Sequence, residues 1–143
     1  MKHLTCIVLA LAATFSLPAV AADKPAAKSA KAPANQRFRN VDVAEWEKLR
    51  KDTKVVVLDV RTAEEFADGH MPGAINLDIR GGKFAETLAG LDKSKTYLVH
   101  CAVGGRSAKA CGQMDGLKFE KVVNLSGGIT AWEAAGNKPI KER

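Results

Sequence analysis

Disulfide-forming cysteines and metal-binding side chains are both scarce in this sequence. Its 143 residues include three cysteines and three histidines. The histidines are scattered and no two cysteines have the spacing of a zinc site, so we expect no metal ion. If the first residues are removed, only Cys101 and Cys111 remain, which excludes a framework of several disulfides. The chain has no internal repeats, so repeat architectures are excluded as well.

The part of the chain that we expect to fold has almost no net positive charge. The whole sequence has a formal net charge of +6, which by itself suggests nucleic-acid binding. Most of this charge precedes residue 41, because residues 22–40 have a net charge of +4 and Lys2 adds one more. Residues 41–143 retain a net charge of only +1. We therefore expect no nucleic-acid partner.

Residues 1–22 have the features of a secretory signal peptide. Lys2 gives a basic start, an apolar segment follows from Leu4, and Ala19-Val20-Ala21 matches a cleavage site. Polar residues and a proline interrupt the apolar segment, which falls short of the roughly 20 residues that span a bilayer. We expect cleavage to remove Cys6 and to leave a protein without stable membrane insertion. The expected location is the periplasm, or the exterior if the organism has no periplasm.

The remaining chain divides into a short tail and one domain. Residues 23–37 are rich in Ala, Lys and Pro, a composition that favours a flexible tail. Residues 38–143 are enough for one modest hydrophobic core. Short apolar strands alternate with helical segments, which predicts an α/β domain with a mainly parallel sheet. The predicted strands lie at residues 38–41, 54–60, 75–77, 97–100 and 121–125.

The rest of the chain is organised around a turn that begins at a cysteine. An apolar strand ends at His100, and a helix is predicted to begin near Arg106. The backbone N–H groups of residues 102–106 would converge on one point and bind an anion there. Cys101 would lie at the base of this segment, where the N–H groups and the Arg106 guanidinium stabilise a nucleophilic thiolate. An ordinary buried cysteine is the alternative. We call residues 101–106 the cysteine loop.

Two classes of enzyme place a nucleophilic cysteine in such a loop. Cysteine phosphatases of the tyrosine type have His-Cys, five further residues and an arginine, and this chain has His100-Cys101. Only four residues separate Cys101 from Arg106, however. The shorter loop is too small to surround a phosphoryl group together with the attacking sulfur. It can still hold a thiolate that carries one extra sulfur atom.

Three motifs, in the same order along the chain, resemble those of the rhodanese family of sulfurtransferases. They are Asp59-Val60-Arg61 with Glu65-Phe66 and residues 69–76, then Cys101-x-x-Gly104-x-Arg106-Ser107, and finally Leu125-Ser126-Gly127-Gly128 with Trp132 and Pro139. The resemblance covers about residues 38–139. It implies a single domain with a central five-stranded, mainly parallel sheet flanked by helices.

The resemblance also implies a reaction and a set of site residues. Sulfane sulfur would pass from thiosulfate or a persulfide to a thiophilic acceptor through a persulfide on Cys101, with no metal or organic cofactor. The expected partners are a small anionic or thiol donor and acceptor, with a protein as a further candidate acceptor, and we expect a monomer. The residues implied to bind the substrate are Ala102, Val103, Gly104, Gly105, Arg106 and Ser107.

Several polar residues outside the loop have structural interpretations. We expect Arg61 to pair with Glu65 at i, i+4 on a helix, with a role at the pocket rim as the alternative. His70 precedes Met71-Pro72 and is predicted to be a hydrogen-bonded turn residue rather than a base. Cys111 would lie about 7 to 8 Å along the helix after the loop, too far for a disulfide with Cys101. We expect it to be a buried core residue.

Three other functions stay open at this stage. The first is a non-enzymatic persulfide carrier or protein-docking module that uses the same cysteine. The second is a phosphatase or arsenate reductase, which the short spacing disfavours. The third is a purely structural domain, which the presence of both Cys101 and Arg106 disfavours.

Overall fold

The structure is a computed structural model that describes residues 38–141. The predicted signal peptide, the predicted tail and Cys6 lie outside the described residues, so the boundaries at residues 22 and 37 stay predictions. Within residues 38–141, no helix is both long enough and apolar enough to cross a membrane. The elements are β1 (Arg39–Val41), α1 (Val43–Leu49), β2 (Val55–Asp59), α2 (Ala63–Asp68), β3 (Ala74–Asn76), α3 (Phe84–Ala89), β4 (Thr96–His100), α4 (Gly105–Gly116), β5 (Lys121–Leu125) and α5 (Gly128–Ala134).

All five strands form one sheet in the order β1-β5-β4-β2-β3, and every pairing is parallel. This confirms the predicted α/β fold. The central strand is β4, which pairs with β2 on one side and β5 on the other. Ligands of such sheets bind beyond the carboxyl ends of the strands. Because β4 ends at His100, the cysteine loop begins at the carboxyl end of the central strand.

The sheet separates two hydrophobic cores. Helices α3 and α4 contribute Phe84, Leu88 and Met114 to one core, and α1 and α5 contribute Trp46 and Trp132 to the other. Side chains of β4 alternate between the two faces, as the period of a strand requires. Tyr97, Val99 and Cys101 belong to the α3–α4 core, whereas Leu98 belongs to the α1–α5 core.

The start of α1 largely follows its sequence signals. Asp42 is the N-cap of α1 and accepts a hydrogen bond from the Glu45 backbone N–H at 2.9 Å. Val41 and Trp46, which occupy the two positions of a hydrophobic staple around this N-cap, belong to the same core. The Glu45 side chain does not return to the N-cap, because it forms an ion pair with Arg39. A complete capping box occurs instead at α2, between Thr62 and Glu65.

The predicted ion pair between Arg61 and Glu65 is wrong. Arg61 pairs with Asp59, with an Nη2–Oδ2 distance of 2.6 Å, and it also donates to the Gly69 carbonyl oxygen at 2.8 Å. Asp59 is fully buried, and a buried carboxylate without a cation costs more than a partly exposed helical pair gains. Arg61 is buried too, so its role is the structural one that we favoured over a place at the pocket rim.

His100 lies in the α1–α5 core, on the face opposite Cys101. Its ring is fully buried and packs edge-on against Trp46 at 6.0 Å between centroids. Burial lowers the pKa of His100 to about 4, although Asp59, 3.7 Å from its Nε2, partly opposes this effect. The imidazole is therefore neutral at neutral pH and faces away from the thiol.

A buried neutral histidine should make the fold sensitive to mild acid. Between about pH 6.5 and pH 5 the unfolded chain binds a proton at His100 that the folded chain does not. The free energy of unfolding should therefore fall by about 2 kcal/mol as the pH decreases over this range. Urea titrations of the wild type and of His100→Gln measure this dependence. The variant, which has no titratable group at this position, should lose most of the slope, and an unchanged slope would contradict the assignment.

Candidate active site

The cysteine loop connects the central strand to the longest helix of the described fold. Cys101 directly follows β4, and α4 begins at Gly105. Gly104 is the N-cap of α4 and has a φ of +96°, a left-handed conformation that favours glycine. The turn is thus short enough for the first N–H groups of α4 to lie beside the cysteine.

The thiol of Cys101 lies within reach of several hydrogen-bond donors. The backbone N–H of Gly104 donates to Sγ at an N–S distance of 3.1 Å. The hydroxyl of Ser107, one turn into α4, lies 3.5 Å from Sγ and 3.0 Å from the Gly104 carbonyl oxygen, so its single proton can serve either acceptor. Ser107 is fully buried, which keeps this hydroxyl beneath the loop.

These donors outweigh the effect of burial on the cysteine. Burial raises the pKa of Cys101, but hydrogen bonds from the Ser107 hydroxyl and from the N–H groups of Ser107, Gly104 and Val103 lower it, and the net shift is downward. The thiolate is thus stabilised mainly by neutral dipoles. The N–H donors are those that the sequence predicts. The Arg106 guanidinium, the other predicted contributor, also interacts with Cys101 but is bound mainly to Glu65.

The other wall of the loop comes from the start of α5. The N–H of Ile129 donates to the Cys101 carbonyl oxygen at 2.8 Å, and that of Thr130 donates to the Ala102 carbonyl oxygen at 3.1 Å. Gly128 has a φ of +58°, and a Cβ atom there would lie 2.3 Å from the Cys101 carbonyl oxygen. Only glycine allows this approach. Residues 126–128 were identified from the sequence as part of a motif, but their contact with the loop was not predicted.

Arg106 is held by Glu65 of α2. Its two terminal nitrogens donate to the two carboxylate oxygens at 2.6 and 2.7 Å, a bidentate ion pair. The Arg106 hydrogen bond is the main cause that lowers the pKa of Glu65 to about 2, and Glu65 in turn raises the pKa of Arg106. The Arg106 side chain is 22% exposed and the Glu65 side chain is 36% exposed. This ion pair connects the cysteine loop to α2. The sequence predicts Arg61 as the partner of Glu65 instead.

The remaining residues of the predicted site differ in exposure. Cys101 and Gly104 are buried, Ala102 and Arg106 are partly exposed, and Gly105 is exposed. Val103 is an apolar side chain that is 69% exposed. The fold thus brings all seven predicted residues to one place, with the thiol on the floor and Val103 at the rim.

The second cysteine lies outside this site. Cys111 is fully buried in the α3–α4 core, both cysteines of the described range are free, and burial strongly raises the pKa of Cys111. Cys111 is therefore a core residue, as predicted. His70 also has its predicted structural role, because its Nδ1 lies 2.9 Å from the Phe66 carbonyl oxygen and its ring stacks on Phe66. Residues 38–141 contain no group of three or more His, Cys, Asp or Glu side chains that could hold a metal ion.

Two glycine-to-alanine substitutions should have opposite effects. Gly128→Ala places a methyl group into the backbone of the cysteine loop, so we expect a loss of stability of several kcal/mol and a slower reaction of Cys101 with thiol reagents. Gly112→Ala lies in α4 with open space around its Cβ, and should raise stability by up to about 1 kcal/mol. Denaturant titrations measure both changes. Equal effects at the two positions would contradict the proposed contact.

The two cysteines should react very differently with iodoacetamide. The midpoint of the pH profile for Cys101 alkylation should lie below the ordinary value of a free thiol, about 8.5. Ser107→Ala should raise this midpoint, because it removes one hydrogen-bond donor. Cys111 should stay unlabelled until the protein is unfolded. Peptide mapping by mass spectrometry distinguishes the sites, and a Cys101 midpoint at or above 8.5 would refute an activated thiol.

Comparison with known proteins identifies the family. Residues 42–135 match the rhodanese-like domain family. The putative sulfurtransferase YtwF of Bacillus subtilis is 41% identical over 87 residues, which cover 61% of this chain and 82% of that protein. The thiosulfate sulfurtransferase GlpE of Pseudomonas putida is 33% identical over 97 residues, covering 68% and 86%, respectively.

A solved structure shows the same relationship. The crystal structure of a rhodanese-related protein from Thermoplasma volcanium superposes with a TM-score of 0.63 at 31% sequence identity, covering 73% of this chain and 99% of that one. The family match spans α1 to α5 and thus includes the whole cysteine loop with both walls around it. On this evidence, the chain belongs to the rhodanese-like domain family.

Proposed function

We propose that this protein is a rhodanese-type sulfurtransferase in which Cys101 accepts a sulfane sulfur and passes it to a thiophilic acceptor. The observation that best supports this proposal is the set of N–H and O–H donors around the Cys101 sulfur, with Gly104 N at 3.1 Å. They stabilise a sulfur anion that is already bound to the protein. The names of two relatives, a putative sulfurtransferase and a thiosulfate sulfurtransferase, agree with this activity.

The proposed reaction has two steps and needs no further oxidant or reductant. The Cys101 thiolate attacks the outer sulfur of the donor, a bond forms between Sγ and that sulfur, and the bond to the rest of the donor breaks. The leaving group, sulfite from thiosulfate or a thiol from a persulfide, takes the electron pair. The acceptor, cyanide or a thiol, then attacks the outer sulfur of the Cys101 persulfide and restores the thiolate.

The site supports this chemistry better than phosphate hydrolysis. Four residues lie between Cys101 and Arg106, so the loop offers its N–H groups to a small anion directly on Sγ. Both terminal nitrogens of Arg106 are engaged by Glu65. A phosphatase needs such an arginine to bind the transferring phosphoryl group. We expect no turnover of aryl phosphates.

A protein acceptor is the second candidate, in which the domain acts as a persulfide carrier rather than as an enzyme for small molecules. The observation that favours it is Val103, an apolar side chain 69% exposed at the rim of the loop. A protein surface could cover Val103 while its own thiol reaches the Cys101 persulfide. High affinity for such a partner with negligible turnover of small acceptors would support this alternative.

The location and the partners of the protein are part of the proposal. We propose export through the signal peptide at residues 1–22, and a monomer that uses small anionic or thiol donors. In an oxidising compartment the reaction requires Cys101 to stay reduced. Cys111 is free and fully buried in α4, so we assign it no role as a resolving partner.

The covalent cycle can be tested by intact-mass measurement. After incubation with thiosulfate or a thiol persulfide, the wild type should gain one sulfur atom, about 32 Da, and should lose it to cyanide, because the persulfide is an electrophile toward such nucleophiles. Cys101→Ser should gain nothing. The matched control, Cys111→Ala, should still gain and lose the sulfur. Persistence of the mass gain in Cys101→Ser, or its absence in the wild type with every donor, would contradict the proposal.

A further inference from the structure

The charge on Arg106 is already balanced in the structure. Arg106 is the one cation of the cysteine loop, and its Nη1 and Nη2 atoms lie 2.6 and 2.7 Å from the two carboxylate oxygens of Glu65. The hydrogen bonds from Arg106 lower the pKa of Glu65 to about 2, so its carboxylate is ionised at neutral pH. The guanidinium and the carboxylate together therefore have no net charge.

Two further basic side chains near the loop are unavailable for a donor. Arg61 is buried and bound to Asp59 and to the Gly69 carbonyl oxygen. His100 is neutral at neutral pH, since its pKa is lowered to about 4, and it lies on the opposite face of the sheet, against Trp46. The loop therefore stabilises negative charge mainly through N–H and O–H dipoles, which act on an atom in contact with them and weaken quickly with distance.

This charge balance matters because donors differ in their charge. Thiosulfate is a dianion, and its second charge stays on the sulfonate oxygens, outside the N–H groups that hold the transferred sulfur. It approaches a thiolate that is itself negative. A donor with one negative charge is repelled less, and an uncharged donor is not repelled. The electrostatic energy of one such extra charge at several ångströms is enough to alter a rate by an order of magnitude.

We propose that Glu65 determines the charge class of the sulfur donor, because by neutralising Arg106 it makes the site favour monoanionic or uncharged donors over the thiosulfate dianion. The inference rests on the proposed sulfurtransferase function. Glu65 acts through Arg106 and is a positioning residue in this assignment. The natural donor would then be a thiol persulfide, whose transferred sulfur carries at most one charge.

The test compares two donors that react in the same way and differ in charge. Thiosulfate, a dianion, transfers its outer sulfur with sulfite as the leaving group. Methanethiosulfonate, a monoanion, transfers its outer sulfur with methanesulfinate as the leaving group. In both cases the Sγ–S bond forms, the old S–S bond breaks, and the leaving group takes the electron pair. The ratio of kcat/KM for the two donors cancels changes in the thiolate fraction of Cys101.

Glu65→Gln is the informative variant. Glutamine can still accept the hydrogen bond from the Thr62 N–H, which Glu65 Oε2 accepts at 3.1 Å, so the capping box of α2 is retained. The substitution frees the charge of Arg106. We expect the kcat/KM ratio to shift toward thiosulfate by about tenfold at low salt, and by much less at about 1 M salt, where the Debye length is about 3 Å.

Two further variants distinguish this role from a structural one. Glu64→Gln removes the same charge from the neighbouring position of α2, where the side chain is exposed, and should leave the donor ratio unchanged. Arg106→Gln leaves Glu65 unpaired and should shift the ratio in the opposite direction, away from thiosulfate. Damage to the fold would lower the rates with both donors and would not produce opposite shifts.

Each result has a definite meaning. Opposite shifts in Glu65→Gln and Arg106→Gln that are weakened by salt support the assignment. An active wild type whose donor ratio is unchanged in Glu65→Gln, or changes equally in Glu64→Gln, overturns this inference alone. If neither donor adds sulfur to Cys101 in the wild type, the proposed function fails and this inference fails with it.

Discussion

The geometry of the site depends on the close approach between Gly128 and the cysteine loop. The carbonyl oxygens of Cys101 and Ala102 point toward α5, where they accept hydrogen bonds from Ile129 and Thr130. In a planar trans peptide the N–H points opposite to the carbonyl of the same unit. Once these two carbonyls face α5, the N–H groups of Ala102 and Val103 must face the inside of the loop. The contacts with α5 therefore determine the anion-binding geometry of the loop. A Cβ atom at Gly128 would occupy the space that these contacts need.

The period of the central strand places Cys101 and His100 on opposite faces of the sheet. Cys101 continues the face of Tyr97 and Val99, whereas His100 points into the other core beside Trp46. The adjacent His100-Cys101 pair suggests a nucleophile with its base, but the two side chains lie on opposite faces of the sheet. The thiolate is stabilised by donors from α4 instead, and His100 contributes to the packing around Asp59 and Arg61.

Local patterns predicted most of this molecule. The run at Lys121–Leu125 was predicted as a strand with the bounds that the structure has, and the strand–cysteine–helix turn was located from its apolar run and its glycines. The partner of Arg106 was not predictable in this way, since Glu65 lies 41 residues earlier and pairs only through the fold. The i, i+4 spacing predicted an ion pair between Arg61 and Glu65, but spacing alone does not show which side chains are buried. The fully buried Asp59 required the nearest cation, which left Glu65 free for Arg106.

The distinction between dipoles and net charge connects the fold to the reaction. N–H dipoles are fixed by α4 and α5, so they stabilise an anion that lies within about 3 Å without attracting distant anions from solution. A net positive charge would attract any anion, including phosphate and sulfate, which compete for such sites. Because Glu65 neutralises Arg106, the loop stabilises a sulfur anion once it is attached to Cys101 and offers little to free oxyanions. A site built in this way suits an intermediate that stays covalently bound, such as the persulfide that we propose on Cys101.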